Sequence, residues 1–233
     1  MSGEKEKIFR RIREALAMEA PLPGHQAGHH DEAHAGSPPE GVSHWLPPVG
    51  DTFESQADLF ARNSTQLKTS FLLLPDEGAA AGALAELARA EGWQRIAAHG
   101  DGARGPATRA MVGALSLPAL WTDTGYDVRE LEKCDAGISE CDALVAQTGS
   151  VLVTSRSAGG RALSVLPPHH VVLARREQLL PDLTAAFALL ERKYAGAFPS
   201  FIGFITGPSR TGDIERILVL GAHGPKKLTI ICW

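Results

Sequence analysis

From residue 52 onward, short and nearly continuous apolar runs alternate with longer stretches of helical period. This alternation constrains the fold more than any other feature of the chain. Residues 69–74 (TSFLLL), 117–122, 151–155 (VLVTS), 171–174 and 201–206 read as buried strands, with a weaker strand at 94–99 (QRIAAH). Between them lie helical patterns. Residues 52–67 set Phe53, Ala57, Phe60 and Leu67 on one face, 77–91 are rich in Ala, Leu and Glu, and 104–114 are short. Residues 181–194 start at Pro181 and align Leu183, Phe187 and Leu190. Further strands are expected at 136–139, 217–220 and 228–232, with one or two helical turns at 140–146. Apolar strands that do not alternate with polar residues belong to a sheet covered on both sides. Strand–helix–strand order makes that sheet parallel. The expected class is therefore α/β, a mostly parallel sheet with helices on both faces.

The 233 residues divide unevenly. Residues 1–19 form an N-terminal amphipathic helix: Ile8, Ile12 and Leu16 recur every fourth position with Phe9 beside them, opposite a charged face. Residues 20–50 form a flexible linker rich in His, Pro and Gly. It holds His25, His29, His30, His34 and His44 around Asp31 and Glu32, without a scaffold to fix them as metal ligands. Residues 51–233 form the α/β domain.

Charge and composition exclude several function classes. A net charge of −4, only 6% aromatic residues and no basic run interleaved with aromatics argue against nucleic-acid binding. No apolar window reaches the length of a membrane span, and the charged N-terminus is no signal peptide. The three cysteines, Cys134, Cys141 and Cys232, are odd in number and match no zinc or iron–sulfur spacing. Reduced thiols in the cytoplasm are expected, with no metal and no cofactor.

Three segments carry candidate chemistry. Gly100, Gly102 and Gly105 in HGDGARG form a GxGxxG string between a strand and a helix, with Asp123 closing the next strand. The weak strand before it and Pro106 after it favour an ordinary connecting loop over a dinucleotide site. Gln147, Thr148 and Gly149 precede the strong strand at 151–155. They either line a cleft or form a plain turn leading into that strand. The densest segment is GPSRTGDIERILVLGAHGP. Ser209, Arg210, Thr211 and Asp213 follow a buried strand, and His223 and Gly224 occupy a later turn. Backbone amides, hydroxyls and a guanidinium there suit a small anion, with Arg210 as a bidentate clamp. Alternatively Asp213 and Glu215 satisfy those amides themselves, leaving Arg210 a salt-bridge partner. His223 is placed to orient a ligand or move a proton, or is a structural histidine. His169 and His170 follow LPP at a strand start, where alternation turns one of them inward. No nucleophile elbow, HExxH helix or Walker lysine loop is present, so no catalytic residue is assigned.

The succession CDALVAQTGSVLVTS, RALSVLPPHHVVLA and FITGPSRTGDIERILVLGAHGPKKLTIIC resembles the LutC/YkgG-type lactate-utilisation (LUD) domain family, tightly over about 135–232 and loosely over 50–134. The resemblance implies a fold similar to the NagB/RpiA/CoA-transferase-like group. It also implies a part in bacterial L-lactate oxidation to pyruvate, with an iron–sulfur protein and a cysteine-rich protein as partners. The family usually has a glutamate where this chain has Gln147, and a glutamine can act neither as general base nor as nucleophile. Two other readings stay open: a stand-alone enzyme on a phosphosugar, CoA ester or folate, by fold analogy, and a non-catalytic interaction protein.

Overall fold

The computed structural model describes residue 7, which lies in a helix, and residues 48–100, 105–212, 218–220 and 224–233. The expected N-terminal helix, apart from Lys7, and nearly all of the linker fall outside the described residues. The chain divides into units Met1–Ser43 and His44–Trp233, and the second carries the α/β fold.

In chain order its helices are α1 (Phe53–Gln66), α2 (Glu77–Glu91), α3 (Gly105–Ala114), α4 (Val128–Leu131), α5 (Ser155–Ala158), α6 (Arg161–Val165) and α7 (Leu183–Tyr194). Its strands are β1 (Ser70–Leu73), β2 (Ile96–Ala98), β3 (Ala119–Trp121), β4 (Ala136–Glu140), β5 (Ala143–Val145), β6 (Ser150–Thr154), β7 (His169–Ala174), β8 (Leu179–Leu180), β9 (Ile202–Ile205), β10 (Arg210–Gly212), β11 (Leu218–Leu220) and β12 (Lys227–Cys232). The long helices start where a side chain meets the orphan amides of the first turn. Thr52, Asp76 and Asp182 accept from the amides of Ser55, Ala79 and Ala185 at 3.2, 2.8 and 2.8 Å. Gly92 ends α2 in the left-handed conformation at φ +67°.

Six strands form one sheet in the order β1-β12-β7-β4-β2-β3, and every neighbouring pair is parallel. Its inner strands β2, β4, β7 and β12 are buried on both sides, as the apolar runs require, whereas the edge strand β1, read as buried from TSFLLL, has Ser70, Leu72 and Leu73 exposed. Ile96, Ala98, Ile138, Val171, Leu173 and Ile231 face α2 and α3. Val172, Ala174, Leu228 and Ile230 face α1 and a second sheet, β8-β5-β6-β9. The outer side of that second sheet packs Ala143, Val145 and Leu152 against Ala186, Leu190 and Tyr194 of α7. The expected α/β class with a mostly parallel sheet is therefore observed, with part of one face covered by strands in place of helices.

Three local expectations are corrected. Residues 140–146 are not helical turns: Ala143–Val145 is fully buried strand between β6 and β8, because its apolar residues fill the space under α7. Asp182, not Pro181, starts α7, because only a side-chain acceptor satisfies its first amides. The stretch beginning at Arg210 is strand β10, antiparallel to β11, in place of free loop amides.

Both β7 histidines point into packed surroundings. His169 Nε2 lies 2.8 Å from Thr229 Oγ1 and its ring meets Trp93 edge-on. His170 Nε2 lies 2.9 Å from Ser139 Oγ. Burial lowers His169 to about 4 and His170 to about 3. The unfolded chain takes up these two protons below a pH of about 6.5 and the folded chain does not. Stability is therefore complete above about 6.5 and falls as pH drops toward 4 and then 3. The urea midpoint should fall steadily from pH 7 to 5, and fall less steeply in His170→Gln. A midpoint unchanged over that interval contradicts the assignment.

Candidate functional site

The candidate residues Gln147, Thr148, Gly149, Ser209 and Gly224 lie along one rim, apart from Gly100, Gly105 and Asp123 of the glycine string. Residues 147–150 turn between β5 and β6. Asn63, near the end of α1, holds this turn by donating from Nδ2 to the carbonyls of Ala146 and Gln147, both at 2.9 Å. Gly149 takes φ +64° with its Cα against Asn63, a backbone state and a contact that favour glycine. Ser150 Oγ lies 2.8 Å from Thr206 Oγ1, which ties the turn to the end of β9. Gly207, at φ +90°, rests on the Leu67 carbonyl. The Ser209 amide donates to Pro225 O at 2.9 Å, and Gly224 packs directly on the Ser209 side chain. Pro168 O accepts from both Lys226 N and Lys227 N, at 2.8 and 3.1 Å, fastening this turn to the start of β7. The rim is thus the amino edge of the six-stranded sheet, beside the beginnings of β1, β7 and β12.

Gln147, Thr148, Gly149, Ser209 and Gly224 are accordingly brought into one neighbourhood. Arg210 and Thr211 follow immediately as the first residues of β10, described by their backbone alone, with Arg210 paired to Leu220. Asp213 and His223 lie outside the described residues. Within the rim, Thr148 Oγ1 is buried and has no hydrogen-bond partner. A buried hydroxyl in that state costs roughly 1–3 kcal/mol.

Sequence reasoning missed a second polar cluster at the opposite, carboxyl rim. Doubly wound sheets place ligands where strand order reverses, and here that is between β2 and β4. His99, buried just past β2, sets Nδ1 3.0 Å from Thr122 Oγ1. Gly159, at φ +65°, packs so closely that a Cβ there would stand 2.6 Å from that nitrogen. Glu140 ends β4, buried, and accepts from Thr108 Oγ1 at 2.8 Å. Asp123 accepts from the Gly100 amide at 3.1 Å and pairs with Arg109, whose guanidinium lies 4.5 Å over the Trp121 ring. Burial opposes its ionisation, but the amide and the guanidinium outweigh burial and lower its carboxyl pKa. The acid of the GxGxxG pattern therefore latches its own loop and is not presented to a ribose. The sequence signal for this cluster was a charged or polar residue closing each apolar strand.

A third network sits under α7. The Asp142 side chain is wholly buried and accepts from Tyr194 Oη and Lys193 Nζ, both at 2.6 Å, and from Thr154 Oγ1 at 2.8 Å. Burial raises its pKa, yet these donors pull it below the ordinary carboxylate value. The network joins α7 to the β5–β6 hairpin and is saturated by its own members.

The thiols are unsuited to nucleophilic work. All three are buried, and burial pushes Cys232 up to about 12 and Cys141 well above its ordinary value. Among the described residues no group of three or more His, Cys, Asp and Glu side chains is arranged to hold a metal ion. No helix among them is long and apolar enough to cross a membrane.

Comparison with known proteins points to the same part of the chain. Residues 125–232 match the family model of the LUD domain. Proteins named lactate utilization protein C are similar to it. The one from Geobacillus kaustophilus is 38% identical over 102 residues, covering 43% of this chain and 42% of the relative. That from Anoxybacillus flavithermus is 34% identical over 148 residues, covering 59% and 66%. That from Bacillus subtilis is 33% identical over 107 residues, covering 45% of each. The chain thus spans about half the length of most curated relatives it matches. The crystal structure of a DUF162 family protein from Deinococcus radiodurans shares the fold, at TM-score 0.59 and 19% identity over 78% of this chain and 99% of that one.

Gly149→Ala forces a side chain against Asn63 from a left-handed backbone, and it should cost about 1–3 kcal/mol of stability. Denaturant unfolding of the variant against the parent measures this. An unchanged midpoint contradicts the packing described for the 147–150 turn.

Proposed function

We propose that the chain works as a lactate-utilisation subunit of the protein C type. In this reading it supports oxidation of L-lactate to pyruvate, with an iron–sulfur protein and a cysteine-rich protein as partners, and binds a small anionic ligand at the amino rim. One coincidence carries the reading. The segment matching the LUD domain, residues 125–232, contains every candidate rim residue, and the buried, unpartnered Thr148 hydroxyl lies among them. The described candidate residues Gln147, Thr148, Gly149, Ser209 and Gly224 offer hydroxyls and amides and include no carboxylate or thiolate. That chemistry suits holding an anion better than breaking a bond. Arg210 and the nearby amides hold the anion, Gln147 and Thr148 line the cleft, Ser209, Thr211 and Asp213 shape the loop, and His223 beside Gly224 orients the ligand or moves a proton. The chain works in the cytoplasm and needs no cofactor of its own.

A second reading, a stand-alone enzyme, is supported by the buried His99–Thr122 pair at the carboxyl rim, where α/β enzymes usually bind substrates. It requires turnover by the purified chain without partners.

Calorimetry with lactate, pyruvate, phosphate and CoA tests the first reading. At least one should bind. Thr148→Val replaces the orphan hydroxyl by a methyl group, so its thermal stability should equal or exceed the parent's while affinity drops about tenfold, near 1.4 kcal/mol. Arg210→Ala should abolish both binding and growth on L-lactate. Silence toward all these compounds, together with normal growth of Arg210→Ala cells, contradicts the reading.

A further inference from the structure

We infer that the ligand of the amino rim is a doubly charged oxyanion of the phosphate class, and that Lys68 and Lys226 are two further residues that hold it. The inference rests on the anion site proposed above and adds the ligand's charge. Segments 63–69, 147–150, 206–209 and 224–226 meet at this rim through the contacts of Asn63, Ser150, Gly207 and Ser209. Together these segments contain two lysines and no aspartate or glutamate. The segment 210–216 is neutral in sum, because Arg210 and Arg216 equal Asp213 and Glu215 in number. The two lysines therefore set the charge balance.

Backbone contacts put a lysine on each side of residues 207–209. Gly207 lies so close to Leu67, the residue before Lys68, that a Cβ at Gly207 would stand 2.8 Å from the Leu67 carbonyl oxygen. The Ser209 amide donates to the carbonyl of Pro225, the residue before Lys226, at 2.9 Å. Both lysines are exposed, and among the described residues neither ammonium group has an ion-pair partner. Lys227 differs: Glu91 holds its ammonium at 2.6 Å, so its charge is already met.

Lys68 also stands where a glycine is the ordinary choice. It follows α1 in the left-handed conformation at φ +65°, the state that Gly92 takes at φ +67° after α2. A side chain in that state is strained, and only its own contribution can offset the strain. Thr69, next along and 5% exposed, leaves its Oγ1 without a partner, as Thr148 does. Two ammonium groups match a dianion. Lactate and pyruvate carry one charge and would leave one ammonium unmet. A phosphate group carries two, and its oxygens also accept from hydroxyls and amides. Each lysine reaches such an ion as a point charge on a flexible stem.

Calorimetry of the full chain with inorganic phosphate, pyruvate and lactate, at about pH 8 where phosphate is doubly charged, tests the inference. Phosphate should bind about tenfold more tightly than pyruvate or lactate. Lys68→Gln and Lys226→Gln remove charge with little change of shape. Each should weaken phosphate about fivefold and pyruvate only about twofold, because the lost attraction scales with the charge of the ligand. Lys68→Glu should weaken phosphate about 25-fold, because reversing a charge doubles the loss in free energy. A lysine that serves only the fold leaves the ratio of phosphate to pyruvate affinity unchanged, and that result overturns the inference. Lactate or pyruvate bound as tightly as phosphate overturns the inference and leaves the anion site standing. Silence toward every anion overturns both.

Discussion

The parallel insertion of β12, the last strand of the chain, between β1 and β7 is the constraint on which the rest depends. Without it β1 has no neighbour, and the apolar positions of β7 lose cover along one side. Its parallel direction requires the chain to return to the amino edge before entering the sheet. The Gly224–Pro225 turn makes that return, and Pro168 O clamps it through two amides. Ser209 is hydrogen-bonded to the same turn, and the end of β9 reaches from there to residues 147–150. The amino rim thus arises from how the sheet is completed. So does the position of β1 at the margin, with leucines on both faces left uncovered.

The carboxyl rim pairs several of its polar groups internally, although Arg175 Nε and Trp233 Nε1 stay buried there without a partner. At the carboxyl rim His99 meets Thr122, Glu140 meets Thr108, and Asp123 serves Gly100 and Arg109. Beneath α7, Asp142 accepts from Lys193, Tyr194 and Thr154. These are internal latches. Their members satisfy one another within the fold. The amino rim has an orphan of its own. Thr148 keeps a buried hydroxyl without a partner, on a turn made rigid by Asn63 and by a left-handed glycine.

Much of this could be read from residue order. Apolar runs such as TSFLLL and VLVTS declared the strands; VLVTS is buried throughout, but TSFLLL became the exposed edge strand β1, because its place in the strand order is not written in its own residues. Periodicity located α1, α2 and α7 to within a residue or two. Local pattern lost its meaning where tertiary packing overrode it. Residues 143–145 look the same as helix or strand until α7 covers them. Helices α5 and α6 are too short to show a period, and β8 is two residues long. The rim was legible as a cluster of glycines, hydroxyls and one arginine. Which edge of the sheet it occupies was not, because that depends on the strand order. The carboxyl-rim pairs were hidden for a related reason: each residue closes a different strand, and only the sheet brings them side by side.

The most direct test of the amino rim as a ligand site is a crystal of the full chain soaked in a small oxyanion, phosphate or pyruvate. Density is expected between residues 147–149 and Ser209, with Thr148 Oγ1 within hydrogen-bonding distance. Density beside His99 and Gly159 at the carboxyl rim, with the amino rim empty, would contradict it.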